Sequence, residues 1–532
     1  MNNLLIKLVN INFIQKCFIN FLLGSLSVLA LDPINFFYIL FITLPLFLVN
    51  STSYNNKKQI QYKKKLLHIF VIGSSFGFGY FFFGLYWINI SFLHQIETYY
   101  FLIIPSLFLI PIVLSVFYGL MTLLLFLFCP KNISRVFVFS IIWTLMEFVR
   151  SLITVFPWAQ IGHSLIPVNK IIQIISIFGE LSLTTIAVIL FTFPVIFLFE
   201  KDNYLKKTSL IIFILIFVSI FTFSSLRQYN NTITTTNIEV NILQPNISQK
   251  NKWDPSFFDK NINKLIDETI KMVKSESKIP FKQRYFIWPE TAIPIFVDEN
   301  LSVTHKITKY FNEDDYLMIG SIRKEKNIGE NYKFFNSLFI INSKNEIIGK
   351  YDKNQLVPFG EYIPLNNLLR KLKFINFNAI GGNFSKGYDA LSVRNHSLLI
   401  PEVLICYEAI FSRKLYKNLQ KTDWLLNITN DAWFGKSSGP YQHFNMARLR
   451  AVERGKPLVR VANTGISGII NPYGKIISKS LLNTEFYTKE ILPKKTVKTF
   501  YTRYNYYPLF FILILSFLLI YYVNKKNYHN QL

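Results

Sequence analysis

Three side chains in the polar stretch between residues 228 and 505 have complementary chemistry: the thiol of Cys406, the carboxylate of Glu290 and the ammonium of Lys353. Cys406 is the only cysteine of that stretch, so no disulfide can form within it. A lone thiol closing the apolar run Leu398 to Ile405 is either packing material or a nucleophile. Glu290 follows the run Tyr285 to Pro289, and Lys353 follows Ile347 to Asp352. In open α/β sheets, functional groups collect beyond the carboxyl ends of strands, and all three residues stand at such ends. A thiol is mostly protonated near neutral pH, and a carboxylate within reach can take its proton as it attacks a carbonyl. The negative charge then building on oxygen can be held by a fixed lysine and by the backbone N–H after the nucleophile, that of Tyr407; one such donor is worth about 3 to 4 kcal/mol. Taken singly, each residue also has a plainer reading: Glu290 as a helix cap, Lys353 as a solvated charge, Cys406 as core. Periodicity alone does not bring them together.

The elements that must position these groups follow from patterning. Apolar β-rich runs (Ile238 to Leu243, Tyr285 to Trp288, Leu317 to Ile322, Ser337 to Ile341, Leu398 to Ile405, Trp424 to Ile428, Leu458 to Val461) alternate with helix-like segments such as Ser256 to Ser275. That alternation predicts an α/β layered domain over residues 228–505. Gly465-Ile466-Ser467-Gly468 lacks the spacing of a serine nucleophile elbow, and no Gly-rich phosphate loop is present.

The rest of the chain is of another kind. With 532 residues, 51% of them hydrophobic and 17% aromatic, it is too long for one ordinary domain and too apolar for a soluble one. Seven runs before the polar stretch are long enough to cross about 30 Å of hydrocarbon, near 12–30, 34–50, 66–88, 101–129, 134–156, 171–199 and 208–226. An eighth extends from Pro508 to Val523. Lys57, Lys58, Lys63, Lys64 and Lys65 follow the second run, Lys131 and Arg135 the fourth, and Lys201, Lys206 and Lys207 the sixth, whereas the alternate loops around Asp32 to Asn35 and Asn89 to Tyr100 carry no lysine or arginine. That asymmetry predicts cytoplasmic basic loops. From a cytoplasmic N-terminus (Lys7, Lys16), seven crossings put residues 228–505 outside, and the eighth returns Lys525 and Lys526 to the cytoplasm. The first run is read as a span, since its removal as a signal peptide would reverse this parity. The formal charge of +26 is therefore assigned to topology rather than to nucleic-acid binding. Three cysteines exclude a disulfide scaffold, and seven scattered histidines give no ligand spacing, so neither metal nor cofactor is expected.

Trp288-Pro289-Glu290-Thr291-Ala292, Tyr351 to Tyr362 and Ile405-Cys406-Tyr407-Glu408 resemble, in order, the Glu, Lys and Cys signatures of the nitrilase (carbon-nitrogen hydrolase) superfamily. The framing by eight spans is similar to one branch, the apolipoprotein N-acyltransferases of bacterial envelopes. Phe156-Pro157-Trp158, Trp253-Asp254-Pro255, Asn427 to Phe434 and the helix-like Gln442 to Glu453 also fit that branch. The resemblance implies a multi-pass α-helical membrane domain (1–227, with a final span and tail in 506–532) and a periplasmic αββα sandwich (228–505). It implies acyl transfer from a phospholipid, through a Cys406 thioester, to the α-amine of a diacylglyceryl-modified apolipoprotein, by a monomer in the inner membrane. Glu290 is then the proton acceptor, Lys353 the oxyanion stabiliser, Glu361 a second carboxylate holding the site, and Trp253, Tyr407 and Glu408 supporting or substrate-binding residues. Two positions depart from the branch: His163, where a tyrosine is expected, and Glu180, polar within a span. Glu147 and Arg150, one helical turn apart, are read as a pair able to reach water. His443 is expected to be structural. Two other functions remain open on the sequence: a membrane-tethered amidase using water as acceptor, and a non-enzymatic membrane scaffold.

Overall fold

The computed structural model describes residues 11–52, 61–93, 96–129, 134–199, 202–229, 234–277, 280–326, 332–363, 384–393, 398–412 and 422–529. Of the basic residues used above for orientation, Lys7, Lys57, Lys58, Lys131 and Lys201 lie outside the described residues. The chain forms two compact units. One comprises Met1–Leu93, Tyr99–Asn230 and Lys498–Leu532; the other comprises His94–Thr98 and Asn231–Val497.

The first unit is helical. Five of its helices are long and apolar enough to cross a membrane: Phe13–Ala30, Tyr62–Gly84, Tyr100–Phe128, Arg135–Thr154 and Asn203–Tyr229. The first of them begins in a capping box, where Asn12 Oδ1 accepts from Gln15 N and Gln15 Oε1 accepts from Asn12 N. It lies backbone to backbone against Tyr62–Gly84: a Cβ on Gly24 would stand 2.0 Å from Phe76 O, and one on Gly79 would stand 2.2 Å from Phe21 O. Small residues at such crossings let helices approach where no hydrophobic drive between them exists.

The other three sequence runs form shorter apolar helices, Phe37–Thr52, Leu181–Phe197 with Asn169–Phe178, and Tyr507–Tyr522. The 171–199 run is broken at Gly179, whose φ of +78° a helix cannot hold, and again where Pro194 starts a new turn. Hydropathy carries no sign of such breaks.

Buried polar groups tie this unit together. Glu147, 3% exposed, accepts from Trp143 Nε1 (3.0 Å), Ile161 N (2.8 Å) and Thr184 Oγ1 (2.5 Å). Arg150 donates to the carbonyls of Phe156 (3.1 Å) and Trp158 (2.9 Å) and lies over the Phe81 ring. Both are buried, contrary to the expectation that they reach water; each pins the loop 156–161 instead. The two departures from the branch pattern answer each other: His163 Nε2 stands 2.5 Å from Glu180 Oε1.

The second unit is a sandwich. Its strands are β1 (Thr235–Gln244), β2 (Gln283–Ile287), β3 (Asp315–Lys326), β4 (Tyr332–Ile341), β5 (Ile347–Asp352), β6 (Ser392–Val393), β7 (Pro401–Ile405), β8 (Trp424–Thr429), β9 (Leu458–Ala462), β10 (Gly468–Ile470), β11 (Ile476–Lys479) and β12 (Phe486–Pro493). Seven form one sheet in the order β12-β1-β2-β3-β4-β5-β6, and five form a second in the order β11-β10-β9-β8-β7. The pairs β1-β2, β2-β3, β7-β8 and β8-β9 are parallel, and the remaining pairs antiparallel.

Alternation along each strand builds the layers. Val240, Ile242, Tyr285, Ile287 and Met318 of the first sheet pack against Val403, Ile405, Leu426, Ile428 and Val461 of the second. On the outer side of the first sheet, Phe286, Leu317 and Phe339 cover Ile262, Leu265 and Ile266 of the helix Phe258–Lys274. On the outer side of the second, Leu404, Leu425 and Leu458 cover Phe444, Ala447 and Ala451 of the helix Gly439–Arg454. The result is helix, sheet, sheet, helix.

Candidate active site

Glu290, Lys353 and Cys406 each follow the carboxyl end of a strand: β2, β5 and β7. The strand order brings the first two into contact through β4, which lies between β3 and β5. Asn336 on β4 donates from Nδ2 to Glu290 Oε1 (2.7 Å) and to Glu361 Oε1 (3.1 Å), while its carbonyl accepts from Lys353 N (2.8 Å). Lys353 Nζ lies 2.9 Å from Glu361 Oε1 and 3.6 Å from Glu290 Oε1. The remaining oxygens are also fixed, Glu290 Oε2 by Asn430 N (2.8 Å) and Glu361 Oε2 by Val357 N (2.8 Å). Burial works against the ammonium of Lys353, but Glu361 and then Glu290 outweigh it and hold its pKa well above the usual lysine range. Two carboxylates thus keep a fully buried lysine charged.

Cys406 is 8% exposed and has a φ of +50°, a left-handed conformation costing about 1–3 kcal/mol for a residue with a Cβ. Thr291, directly after Glu290, is held at +44°. Strain stored at both residues marks the site as imposed by its surroundings. One constraint on Cys406 is His443, whose Nε2 lies 3.1 Å from the Cys406 carbonyl oxygen and whose Nδ1 lies 2.9 Å from Asp431 Oδ1; Arg460 Nη2 holds the other oxygen of Asp431 at 2.7 Å. Burial pushes the thiol of Cys406 up, the charge of Glu290 pushes it further, and Lys353 opposes both; Asp431 adds to the rise and a hydrogen bond with Thr429 opposes it. The resting sulfur is therefore a thiol, whose proton must leave as attack proceeds.

Glu408 lies beneath the nucleophile, wholly buried. It accepts from the N–H groups of Ile405 (2.7 Å), Asn354 (2.6 Å) and Gln355 (2.9 Å) and from the Tyr351 hydroxyl (2.9 Å). It staples the thiol-bearing turn to the segment after Lys353. Burial raises its pKa to about 7, against the pull of the Ile405 and Gln355 N–H groups, Lys353 and Tyr351. The folded value lies above the unfolded one, so this group's contribution to stability is full below about pH 4.5 and is lost as pH rises through 7. Glu408→Gln sets an amide N–H against a backbone donor and is expected to cost about 2–3 kcal/mol in acid, less at pH 8; unfolding midpoints at pH 5 and pH 8 measure the difference.

Tyr407 is buried edge-on to Phe411, with ring centroids 5.2 Å apart, and Trp253 is 51% exposed. Sequence reasoning passed over Asn336, Lys252, Thr429 and the structural detail of His443. Asn336 left one trace, a polar residue in the apolar run Phe334 to Ile341.

Beside Glu290, backbone comes close to a glycine. A Cβ on Gly320 of β3 would stand 2.6 Å from Pro289 O and 2.8 Å from Glu290 Cα, neither of which can swing aside. Gly320→Ala is expected to displace Glu290 and slow acyl transfer about a hundredfold, as ångström-scale misplacement of a catalytic group does, in a single-turnover assay on folded protein.

Residues 240–496 match the family Carbon-nitrogen hydrolase, and residues 23–193 match Apolipoprotein N-acyltransferase N-terminal domain. The apolipoprotein N-acyltransferase of Rhodopseudomonas palustris is 31% identical over 518 residues, 95% of this chain and 95% of its own length. That of Rickettsia typhi is 33% identical over 510 residues, 94% of this chain and 97% of its own. Among solved structures, an amidase from Nesterenkonia sp. aligns with 50% of this chain and 94% of its own at 15% identity, with a TM-score of 0.33. With both domains matched and relatives above 30% identity along nearly the whole length, the chain belongs to the apolipoprotein N-acyltransferase family.

Proposed function

We propose that the chain moves an acyl group from a phospholipid to the α-amino group of the lipidated N-terminal cysteine of apolipoproteins, through a thioester on Cys406. One observation carries this reading within the family: Glu290 and Lys353 are buried 3.6 Å apart, and their charges shift the buried Cys406 thiol in opposite directions. Sγ attacks the ester carbonyl as Glu290 takes its proton, and Lys353, held cationic by Glu361, faces the charge growing on oxygen. Collapse breaks the ester C–O bond, and Glu290 returns the proton to the departing lysophospholipid alkoxide. The acceptor amine then attacks the thioester, a C–N bond replaces the C–S bond, and the proton lost by nitrogen returns by way of Glu290 to sulfur. Donor and acceptor alternate, which gives ping-pong kinetics.

In this reading the helical unit, 1–227 with 506–532, is a membrane domain of eight crossings, and residues 228–505 form a periplasmic catalytic domain of an inner-membrane monomer. The five long helices supply five crossings and the three shorter apolar segments the others. The helix Tyr507–His529 has 23 residues, about 35 Å, so it crosses with its lysines in the cytoplasm. Lys63, Lys64, Lys65, Lys206 and Lys207 fall on the same side.

The deciding experiment incubates purified protein with a phospholipid bearing a tagged acyl chain and an amine-bearing diacylglyceryl peptide. Tagged N-acyl peptide is the expected product. Tagged free fatty acid alone, with peptide present, would instead indicate a hydrolase.

A further inference from the structure

Lys252 is the second lysine of the site. It closes the short helix Gln249–Lys252, is 3% exposed, and its Nζ lies 3.4 Å from the Glu290 carbonyl oxygen, its one hydrogen-bond partner among the described residues. The helix is held on the site at its N-terminal end. Gln249 Oε1 accepts from Asn430 Nδ2, the residue whose backbone N–H holds Glu290 Oε2, and Asn463 bonds both Ile247 and Asn430.

Burying an ammonium with a single carbonyl partner is costly unless nearby negative charge offsets it. Its Nζ lies 5.9 Å from the Trp253 ring centroid, and the negative charges that act on it are the Glu290 carboxylate and then the Cys406 sulfur once that is deprotonated. Burial lowers its pKa to about 8, with Glu290 and then Cys406 opposing the fall. Around the thiol stand two carboxylates, Glu290 and Glu361, and two ammonium groups, Lys353 and Lys252, while Asp431 is matched by Arg460 and bonded to His443. Lys353 is committed to Glu361 at 2.9 Å. Among the described residues Lys252 is bonded to no carboxylate, so its charge acts on both anions, first that of Glu290 and then that of the sulfur once its proton has left.

Resting on Cys406 as the nucleophile, we propose that Lys252 is a positioning residue for acyl transfer, whose positive charge offsets the anion shared by Glu290 and the Cys406 sulfur. Because a lysine loses its charge above its pKa, acylation of Cys406 should fall as pH rises through about 8.

The test uses the purified full-length protein and two readouts at Cys406, resolved by mass spectrometry from Cys17 and Cys129: hydroxylamine-labile acylation by a tagged phospholipid and alkylation by iodoacetamide. Lys252→Met is expected to slow both about tenfold at pH 7.5, the effect of about one pK unit on the thiolate population. Lys252→Arg, charged throughout, should stay within about threefold of wild type and lose the fall in acylation near pH 8. Wild-type rates in a folded Lys252→Met protein would overturn the proposal. So would an alkaline fall that persists in Lys252→Arg, an outcome that does not depend on the methionine variant folding. Alkylation reads the thiol without any lipid donor, so failure of the acyltransferase reading would show as absent acylation in wild type and leave the Lys252 contrast decidable.

Discussion

Cys406→Ala is expected to abolish both acyl-enzyme and transfer product, a loss on the order of 10⁴ or more, because no other group described in the pocket can carry the acyl chain. The protein should remain folded, since alanine removes one buried sulfur and keeps the Cβ. The backbone adds a second arm. At φ +50° the residue after β7 is strained for any side chain and relaxed for glycine, so Cys406→Gly should unfold at a higher temperature than Cys406→Ala, by up to about 1 kcal/mol of stability. Both variants should be equally inactive. Gel fluorescence of tagged acyl chain and differential scanning fluorimetry measure the two effects. Persistent hydroxylamine-labile label in either variant would move the nucleophile elsewhere.

Glu290→Gln should slow Cys406 acylation by about 10²–10⁴, the usual range for a positioned base. Part of the loss is geometric: Asn336 Nδ2 and Asn430 N both point at the carboxylate, and an amide can satisfy only one of them. The same substitution should affect alkylation in the opposite sense. The charge of Glu290 raises the thiol pKa, and removing it frees more thiolate, so iodoacetamide should react faster with Cys406 while phospholipid reacts more slowly. A variant in which both reactions slow together would make Glu290 a scaffold for the pocket rather than its base.

The positions of Glu290, Lys353 and Cys406 were legible because each closes an apolar run, and that local pattern places a residue at the end of a strand. Which residues meet there depends on strand order. Asn336 bridges Glu290 and Glu361 because β4 pairs with both β3 and β5, setting Ser337 opposite Asp352. Lys252 is hidden for a related reason: in sequence it is one lysine of a polar turn, and only the clamp through Asn430 and Asn463 carries it into the interior. In the helical unit, hydropathy located every apolar run, yet it could not show the interruption at Gly179 or the His163–Glu180 pair, which are set by backbone conformation and packing.

The last strand of the sandwich lies beside the first. Thr235 pairs with Pro493, and Lys494 N donates to Thr234 O, so the chain enters and leaves the sandwich at neighbouring points of one sheet edge. A segment with adjoining ends can be spliced into a loop of another chain without unravelling either. The 257 residues of the Carbon-nitrogen hydrolase match, 240–496, thus sit between helical segments as a self-closed cassette. Its strand pairing supplies the means by which such a cassette could be gained, exchanged or transplanted as a single piece.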